Sequence, residues 1–242
     1  MGRSRIVFAL DFASLGEARR AALLVREAVG MVKVGLELFT QAGPEAVSVG
    51  KDADLPVFLD LKLHDIPETV DRAVARASAL GARIVTVHAS GGKAMLARAV
   101  SRAKGEGAGL EIAAVTVLTS LDAGDLTELG VHGDVETHAT RLARLAYDEG
   151  VRSFVCSPHD VRGMRGALGK DAILITPGVR ATSSARDGDG DDQKRVATAG
   201  QAVRDGADWL VVGRPIRDAK DPLAAARAIG EEIDQARAKA PA

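Results

Sequence analysis

The sequence predicts an α/β fold and, within that class, a (β/α)8 TIM barrel built as a single domain. Eight short apolar runs typical of strands alternate with stretches of helical periodicity along the chain. The length of 242 residues suits such a barrel, which commonly uses about 250 residues as one unit. Because no linker interrupts the alternation, we assign residues 1–242 to one domain.

The predicted strands are short apolar runs, and several of them end at a polar residue or a turn. The first run ends at Asp11, and the third is followed by Pro67, a residue type favoured at the first position of a helix. The strands are expected at residues 6–10, 31–36, 57–62, 82–88, 110–118, 152–156, 172–176 and 209–212.

The predicted helices follow the strands and repeat apolar residues every three or four positions. Ser14 is expected to cap the first helix, because its side-chain oxygen can accept a backbone N–H of the first turn. The apolar face of that helix consists of Leu15, Ala18, Ala22 and Val25. The later helices are expected at residues 41–49, 67–80, 94–104, 123–129, 135–148, 160–168, 193–205 and 222–238.

The composition argues against nucleic acid or membrane as a partner. Hydrophobic residues make up 46% and charged residues 27% of the chain, as in an ordinary globular protein. Aromatic residues at 3% leave few side chains on which bases could stack. A formal net charge of −1 gives no electrostatic attraction to phosphate backbones or anionic lipids.

The cysteine content and the N-terminus predict a cytoplasmic protein. Cys156 is the single cysteine and cannot form an internal disulfide, which fits a reducing compartment. We expect it to be an inert core residue. The first ten residues show no signal-peptide pattern, and no run approaches the roughly 18 apolar residues of a membrane span.

Residues 181–192 form the one long polar stretch and are rich in Ser, Gly and Asp. Such a loop inside a compact domain is usually a lid or a mobile segment, and we expect a mobile lid here. Its alternating aspartates imitate a calcium-binding loop, but Asp192 stands where glycine is required and Thr198 where the final glutamate belongs. With no metal-ligand spacing among the histidines and cysteine, we expect no metal.

Charged side chains follow the ends of the first four strands. Asp60 and Lys62 lie two residues apart in a strand that should be buried, so both project from one face. Asp11, Lys33 and His88 lie at or near the ends of neighbouring strands, where α/β barrels place their active sites. Alternating acids and bases keep one another ionised. The alternative is a set of structural ion pairs.

Asp65 and the histidines also have structural alternatives. The run Asp65-Ile66-Pro67-Glu68 has the pattern of a capping box with proline at the first helical position. Asp65 is therefore either a helix cap or a third acidic member of the charged set. His64 and His88 are more typical of hydrogen-bonded structural residues than of proton carriers.

Two loops of the second half predict a phosphate site. Thr176-Pro177-Gly178-Val179-Arg180 follows the seventh strand, and Val212-Gly213-Arg214-Pro215 follows the eighth. In barrels these two loops frequently bind phosphate, with glycine allowing close backbone approach and arginine offering a charged fork. Solvated surface arginines are the alternative.

These motifs together resemble the orotidine 5'-phosphate decarboxylase family. The similarity runs from Asp11 through the eighth strand and is most specific over residues 60–67. Further matches are Val32-Lys33-Val34-Gly35, Thr86-Val87-His88-Ala89-Ser90-Gly91-Gly92, Thr116-Val117-Leu118-Thr119-Ser120, Asp192-Gln193-Lys194-Arg195 and the two glycine-arginine loops. The resemblance implies conversion of orotidine 5'-monophosphate to UMP and CO2, the last step of de novo UMP biosynthesis, without cofactor or metal.

The resemblance also implies catalytic roles. Lys62 would protonate carbon 6 of the pyrimidine as CO2 leaves, and Asp60 would lie against the substrate carboxylate. Lys33, Asp60, Lys62 and Asp65 would form an alternating array. In the family the last member comes from the neighbouring subunit. We therefore expect a homodimer in which Asp65, Ile66 and Thr69 reach the other active site.

The remaining implied roles concern substrate binding. Asp11 and Lys33 would hold the ribose hydroxyls, and Thr119 would contact the pyrimidine edge. Gln193 would bridge the base region and the phosphate. The residues expected on the phosphate side are Pro177, Arg180, Gly213 and Arg214.

Two other functions compete with this one. A magnesium-dependent sugar-phosphate decarboxylase or aldolase of the same superfamily shares the Asp-x-Lys-x-x-Asp pattern, but uses an acidic metal ligand where this chain has Lys33. A nucleotide-binding barrel without catalytic activity is the second. Retention of all the charged members of the array argues against it.

Overall fold

Eight parallel strands close into a barrel in the computed structural model of the chain, which describes residues 5–180 and 196–239. The strands are β1 (Ile6–Ala9), β2 (Met31–Gly35), β3 (Val57–Leu63), β4 (Ile84–His88), β5 (Glu111–Val115), β6 (Ser153–Val155), β7 (Ile173–Thr176), β8 (Val179–Arg180), β9 (Ala197–Thr198) and β10 (Trp209–Val212). The closed order is β1-β10-β7-β6-β5-β4-β3-β2, with β8 and β9 forming a separate short pair. The predicted (β/α)8 barrel is confirmed.

Helices follow the barrel strands and cover the outside of the barrel. Ser14 caps the first of them by accepting the backbone N–H of Glu17, as predicted. The helices are α1 (Leu15–Val25), α2 (Leu36–Ala42), α3 (Ser48–Ala53), α4 (Pro67–Ala79), α5 (Lys93–Gly105), α6 (Ala123–Glu128), α7 (Val135–Asp148), α8 (Val161–Leu168), α9 (Ala199–Asp205), α10 (Arg214–Arg217) and α11 (Pro222–Ala238). None of the helices within the described ranges is both long enough and apolar enough to cross a membrane.

The helix predicted at residues 41–49 is wrong in its bounds. Helix α2 starts directly after β2 and ends at Ala42, and a 3-10 turn over Gly43–Val47 precedes α3. Gly43 has a φ of 59°, and Pro44 has no N–H with which to continue the helix. These two adjacent residues therefore divide the predicted helix into two.

The core has two layers, which follow from the alternation of side chains along each strand. The outer layer lies between the strands and the helices and contains side chains that point away from the barrel axis, such as Ile6, Phe8 and Leu59. The inner layer fills the barrel and is formed by Val7, Ala9, Met31, Phe58, Ile84, Ala113, Ile175 and Val211. Because the inner layer closes the barrel from below, space remains only above it, at the carboxyl ends of the strands.

Candidate active site

A cavity of about 590 Å³ opens at the carboxyl ends of the barrel strands. Ala9, Phe58 and Val211 of the inner layer form its floor, and charged and glycine-containing loops form its walls. The volume falls in the range of small-molecule binding sites. The predicted site residues that line the cavity are Asp11, Lys33, Asp60, Lys62, Thr119, Pro177, Gly213 and Arg214.

Four charged side chains form a continuous chain of alternating sign across this cavity. The ammonium nitrogen of Lys33 lies 3.1 Å from Oδ1 of Asp11 and 3.7 Å from Oδ2 of Asp60. The ammonium nitrogen of Lys62 lies 2.8 Å from the same Asp60 oxygen. The side chains of Lys33 and Asp60 are only 12% and 13% exposed, so these charges interact with little screening by water.

The Asp60 carboxylate is held in its charged form. Burial opposes that charge, but the positive charges of Lys33 and Lys62 outweigh it, and the hydrogen bonds from Lys62 and Thr86 add to them. The pKa of Asp60 therefore lies below its ordinary value. At neutral pH the cavity floor presents a fixed negative charge between two ammonium groups.

Lys62 reaches its position through an irregular backbone. Its φ is 50°, in the left-handed region that costs a non-glycine residue of order 1–3 kcal/mol. The pairing of β3 with β4 shifts at the same point: Leu59 pairs with Val85, but Leu63 rather than Leu61 pairs with Val87. The two extra residues of β3 form a bulge that aims the side chain of Lys62.

Glycine at position 35 leaves room for the ammonium group of Lys33. A Cβ atom at Gly35 would lie 2.8 Å from the Lys33 nitrogen and 3.4 Å from Oδ1 of Asp11. The first distance is shorter than van der Waals contact allows. Any larger residue at Gly35 would therefore displace Lys33 from between the two carboxylates.

His64 and His88 lie beside the array with ring centroids 5.4 Å apart. The pKa of His88 is lowered by burial first and then by electrostatic interaction with His64 and Lys62, while Asp60 opposes the shift. His88 is therefore neutral at neutral pH and adds no third cation beside Lys33 and Lys62.

Asp65, Ile66 and Thr69 lie at the start of α4 and are exposed, with Ile66 66% exposed. The capping-box interpretation of Asp65 is wrong. Ile66 is the N-cap residue and has no side-chain cap hydrogen bond, and Asp65 accepts the backbone N–H of Ile66 at 2.7 Å. Glu68 pairs instead with Arg72 and Arg98. None of the three residues is among the described residues that line this chain's own cavity.

The phosphate-side loops follow β7 and β10, and β10 is the neighbour of β1 in the barrel. Pro177 follows β7 and Gly213 follows β10, and both line the cavity. The backbone of Arg180 pairs with Thr198 in the short β8–β9 ladder. Gln193 and the predicted lid at residues 181–192 lie outside the described residues.

Thr86 and Arg217 are polar residues of the site that were not predicted from the sequence. The hydroxyl of Thr86, on β4, accepts the backbone N–H of Lys62 at 2.7 Å and donates to Asp60 at 3.1 Å. Arg217, on α10, donates to the backbone carbonyl of Asp11 at 3.0 Å and lines the cavity. Thr86 has a signal in the sequence, since it interrupts the apolar run from Ile84 to Val87. The contact of Arg217 with Asp11 depends on closure of the barrel.

Comparison with known proteins connects this geometry to a family. A family model described as orotidine 5'-phosphate decarboxylase / HUMPS family matches residues 4–229. A protein from Anaeromyxobacter sp. (strain K) named orotidine 5'-phosphate decarboxylase is 52% identical over 225 residues, which cover 93% of this chain and 96% of the relative. One of the same name from Moorella thermoacetica is 45% identical over 238 residues, covering 96% and 93%.

Two solved structures have a similar fold. The crystal structure of orotidine 5'-phosphate decarboxylase from Lactobacillus acidophilus has a TM-score of 0.80 at 31% identity, covering 95% of this chain and 98% of that chain. An uncharacterized conserved protein from Geobacillus kaustophilus also gives 0.80, at 32% identity, over 94% and 99%. The resemblance inferred from the motifs is confirmed, and the chain belongs to the orotidine 5'-phosphate decarboxylase / HUMPS family.

Proposed function

We propose that this chain decarboxylates orotidine 5'-monophosphate to UMP and CO2, the last step of de novo UMP biosynthesis, without cofactor or metal. The observation that carries the proposal is the pair of ammonium groups of Lys62 and Lys33 on either side of Asp60, within a cavity of about 590 Å³. The names of relatives that are 52% and 45% identical over nearly the whole chain support it.

Lys62 acts as the proton donor. When the bond from carbon 6 to the carboxylate breaks, its electron pair stays on carbon 6 in the plane of the ring, where resonance with the π system is poor. The ammonium of Lys62 stabilises that charge and transfers a proton to carbon 6. Lys62 then regains its proton from water. Asp60, 2.8 Å from the ammonium, holds it in place.

Proton transfer alone is too small an effect for the reaction. General acid catalysis contributes about 10²–10⁴-fold, whereas enzymes lower barriers by up to roughly 23 kcal/mol. The rest is expected from binding energy of the remote phosphate that is used at the reacting carbon. A further hypothesis is that repulsion between Asp60 and the substrate carboxylate raises the energy of the bound substrate.

The proposed binding mode places the nucleotide across the cavity. Asp11 and Lys33 hold the ribose hydroxyls, and Thr119 contacts the pyrimidine edge; all three line the cavity. The phosphate lies towards the loops that follow β7 and β10, where a charged fork and close backbone approach are available. The residues proposed for that side are Pro177, Arg180, Gly213 and Arg214, with Gln193 bridging to the base.

The proposed functional unit is a homodimer in which Asp65, Ile66 and Thr69 complete the active site of the neighbouring subunit. Exposed apolar residues near the barrel mouth support this: Ile66 is 66% exposed and Leu36 is 54% exposed. A dimer would bury both. It would also bring the Asp65 carboxylate next to the ammonium of Lys62 in the neighbouring subunit.

We also propose that residues 1–242 act as one domain in the cytoplasm, with neither nucleic acid nor membrane as a partner. In support of a single domain, β1 pairs with β10, so the first and last described strands belong to the same barrel. Burial of Cys156 is in keeping with a protein that forms no disulfide.

The competing magnesium-dependent activity has no support in the site geometry. The ammonium group of Lys33 occupies the space between Asp11 and Asp60, where a cation would need free carboxylate oxygens. Among the described residues, no group of three or more His, Cys, Asp or Glu could hold a metal ion. Loss of activity in a chelator would favour this alternative.

The test is direct. The purified protein is mixed with orotidine 5'-monophosphate, and loss of the substrate's ultraviolet absorbance is followed. We expect turnover by the wild type and a loss of at least about 10²-fold in Lys62→Ala. Lys51→Ala, at an exposed position of α3, is the control for removing a lysine. No absorbance change with folded wild type would contradict the proposal and favour a barrel that only binds nucleotides.

A further inference from the structure

Thr86 places a buried hydroxyl between Asp60 and the backbone of Lys62. Its side chain is 0% exposed and lies on β4, next to the bulge of β3. The hydroxyl uses both of its hydrogen-bonding capacities: it accepts the backbone N–H of Lys62 and donates to Oδ1 of Asp60.

These bonds close a ring that begins and ends at Lys62. The Lys62 backbone N–H binds Thr86, Thr86 binds one oxygen of Asp60, and the other oxygen of Asp60 binds the Lys62 ammonium. One hydroxyl therefore links the left-handed backbone of Lys62 to the carboxylate that holds its side chain. Without the hydroxyl, the hydrogen bonds that link the Lys62 backbone to the Asp60 carboxylate through Thr86 are lost.

We propose that Thr86 is a positioning residue for the decarboxylation, fixing the backbone of Lys62 and the carboxylate of Asp60 so that the ammonium points at the reacting carbon. Thr86 is not among the described residues that line the cavity. We therefore expect it to act only through Asp60 and Lys62. The inference rests on the proposed function, because its readout is turnover of orotidine 5'-monophosphate.

The decisive variant is Thr86→Val, which keeps the shape of the side chain and removes the hydroxyl. We expect kcat to fall by about 10²-fold, as when a catalytic group is misplaced by about 1 Å. The KM should stay within about threefold, since the residues proposed to bind ribose and phosphate are untouched. Thr86→Ser keeps the hydroxyl and should restore kcat to within about fivefold of the wild type.

The pH dependence separates positioning from a merely structural effect. Asp60 faces Lys33 from β2, Lys62 from β3, and Thr86 and His88 from β4, with Asp11 beyond Lys33. Removing the Thr86 hydrogen bond takes away one contact that favours the charged carboxylate. The acidic limb of the kcat profile should therefore move to higher pH in Thr86→Val and stay in place in Thr86→Ser.

The matched control is Thr116→Val. Thr116 is 5% exposed, and its hydroxyl donates to the Val155 carbonyl at 3.1 Å without touching Asp60 or Lys62. This variant should keep kcat within about threefold of the wild type. If Thr86→Val does not fold, Thr86→Ala, which also lacks the hydroxyl, carries the same expectation.

The outcomes are distinguishable. An inactive but folded wild type would overturn the proposed function itself. An active wild type with a folded Thr86→Val of equal kcat would overturn only the role of Thr86. A loss of kcat that Thr86→Ser shares in full, or an acidic limb that does not move in Thr86→Val, would likewise overturn it.

Discussion

At the scale of single residues, the site works by holding each charge against an opposite one. Lys33 lies between two carboxylates, and Asp60 lies between two ammonium groups. Burying Lys33 or Asp60 without a partner would cost roughly several kcal/mol, and the opposite charges beside them offset that cost. Substitutions in the array should therefore affect ionisation and geometry together.

Replacement of Gly35 by alanine tests how tightly Lys33 is held. The added Cβ would collide with the flexible end of Lys33, so the fold should survive while the ammonium moves away from Asp11 and Asp60. We expect a loss of about 10-fold to 10²-fold in kcat/KM with little change in melting temperature. Gly105→Ala, whose Cβ would meet nothing within 4 Å, is the control and should leave kcat/KM unchanged.

The lowered pKa of Asp60 links its charge to stability. A carboxyl group whose folded-state pKa is depressed stabilises the fold above its unfolded pKa, 3.8, and loses that contribution as pH falls through the lower folded value. Asp60→Asn should therefore show a weaker fall in the free energy of unfolding between about pH 5 and pH 2 than the wild type. Urea unfolding at several pH values measures this. Parallel curves for the two proteins would contradict the assignment.

The same variant tests ground-state repulsion. Asparagine removes the negative charge of Asp60, so kcat should fall if that charge acts on the substrate carboxylate or holds Lys62. Unchanged turnover at neutral pH would dispose of both roles.

At the scale of elements, the sequence predicted the strands well and the irregular junctions poorly. Apolar periodicity is a property of a whole segment, which is why all eight barrel strands were found. The break at Gly43 and Pro44 depends on two residues inside a helical pattern. The bulge at Lys62 leaves no trace in the strand itself, because the constraint comes from Thr86 on the next strand.

For the site residues too, the sequence predicted which residues lie close together but not their local geometry. Asp60 and Lys62 were predicted to share a face because they are two apart in the sequence. They do meet, but across a bulge rather than along a regular strand. For Asp65 the sequence pattern favoured capping as strongly as catalysis, and only the observed bond to Ile66 excludes the capping box.

Helix α3 is packed so closely against the start of β3 that position 50 requires glycine. A Cβ at Gly50 would overlap Cγ2 of Val57 and lie 2.7 Å from the backbone carbonyl of Leu55. Because backbone cannot move aside as a side chain can, Gly50→Ala should destabilise the protein by about 1–3 kcal/mol. Thermal unfolding measures the loss. Gly105→Ala, in open space at the end of α5, should be neutral or slightly stabilising.

At the scale of the whole molecule, the proposed dimer divides each active site between two chains. Lys62→Ala and Asp65→Ala chains are each expected to be inactive alone. After mixing and subunit exchange, half of the dimers are hybrids, and each hybrid has one intact site. We expect about a quarter of wild-type activity to return.

A second mixture controls this experiment. Asp60 and Lys62 are bonded within one chain, so a Lys62→Ala chain mixed with an Asp60→Ala chain should form no intact site and regain nothing. Equal recovery in the two mixtures, or none in the first despite measured exchange, would contradict the shared site.

The barrel closes through the pairing of β1 with β10, two strands that are synthesised far apart in time. Ile6 pairs with Leu210, and Arg217 binds the carbonyl of Asp11 across 206 positions of the chain. The charged array is complete once β3 has been made, but the glycine-arginine loop that lines the same cavity follows β10. A growing chain on the ribosome therefore contains the four charged residues of the array well before the loop after β10 has been made. The cavity is therefore complete only when β10 and the loop after it have joined the barrel.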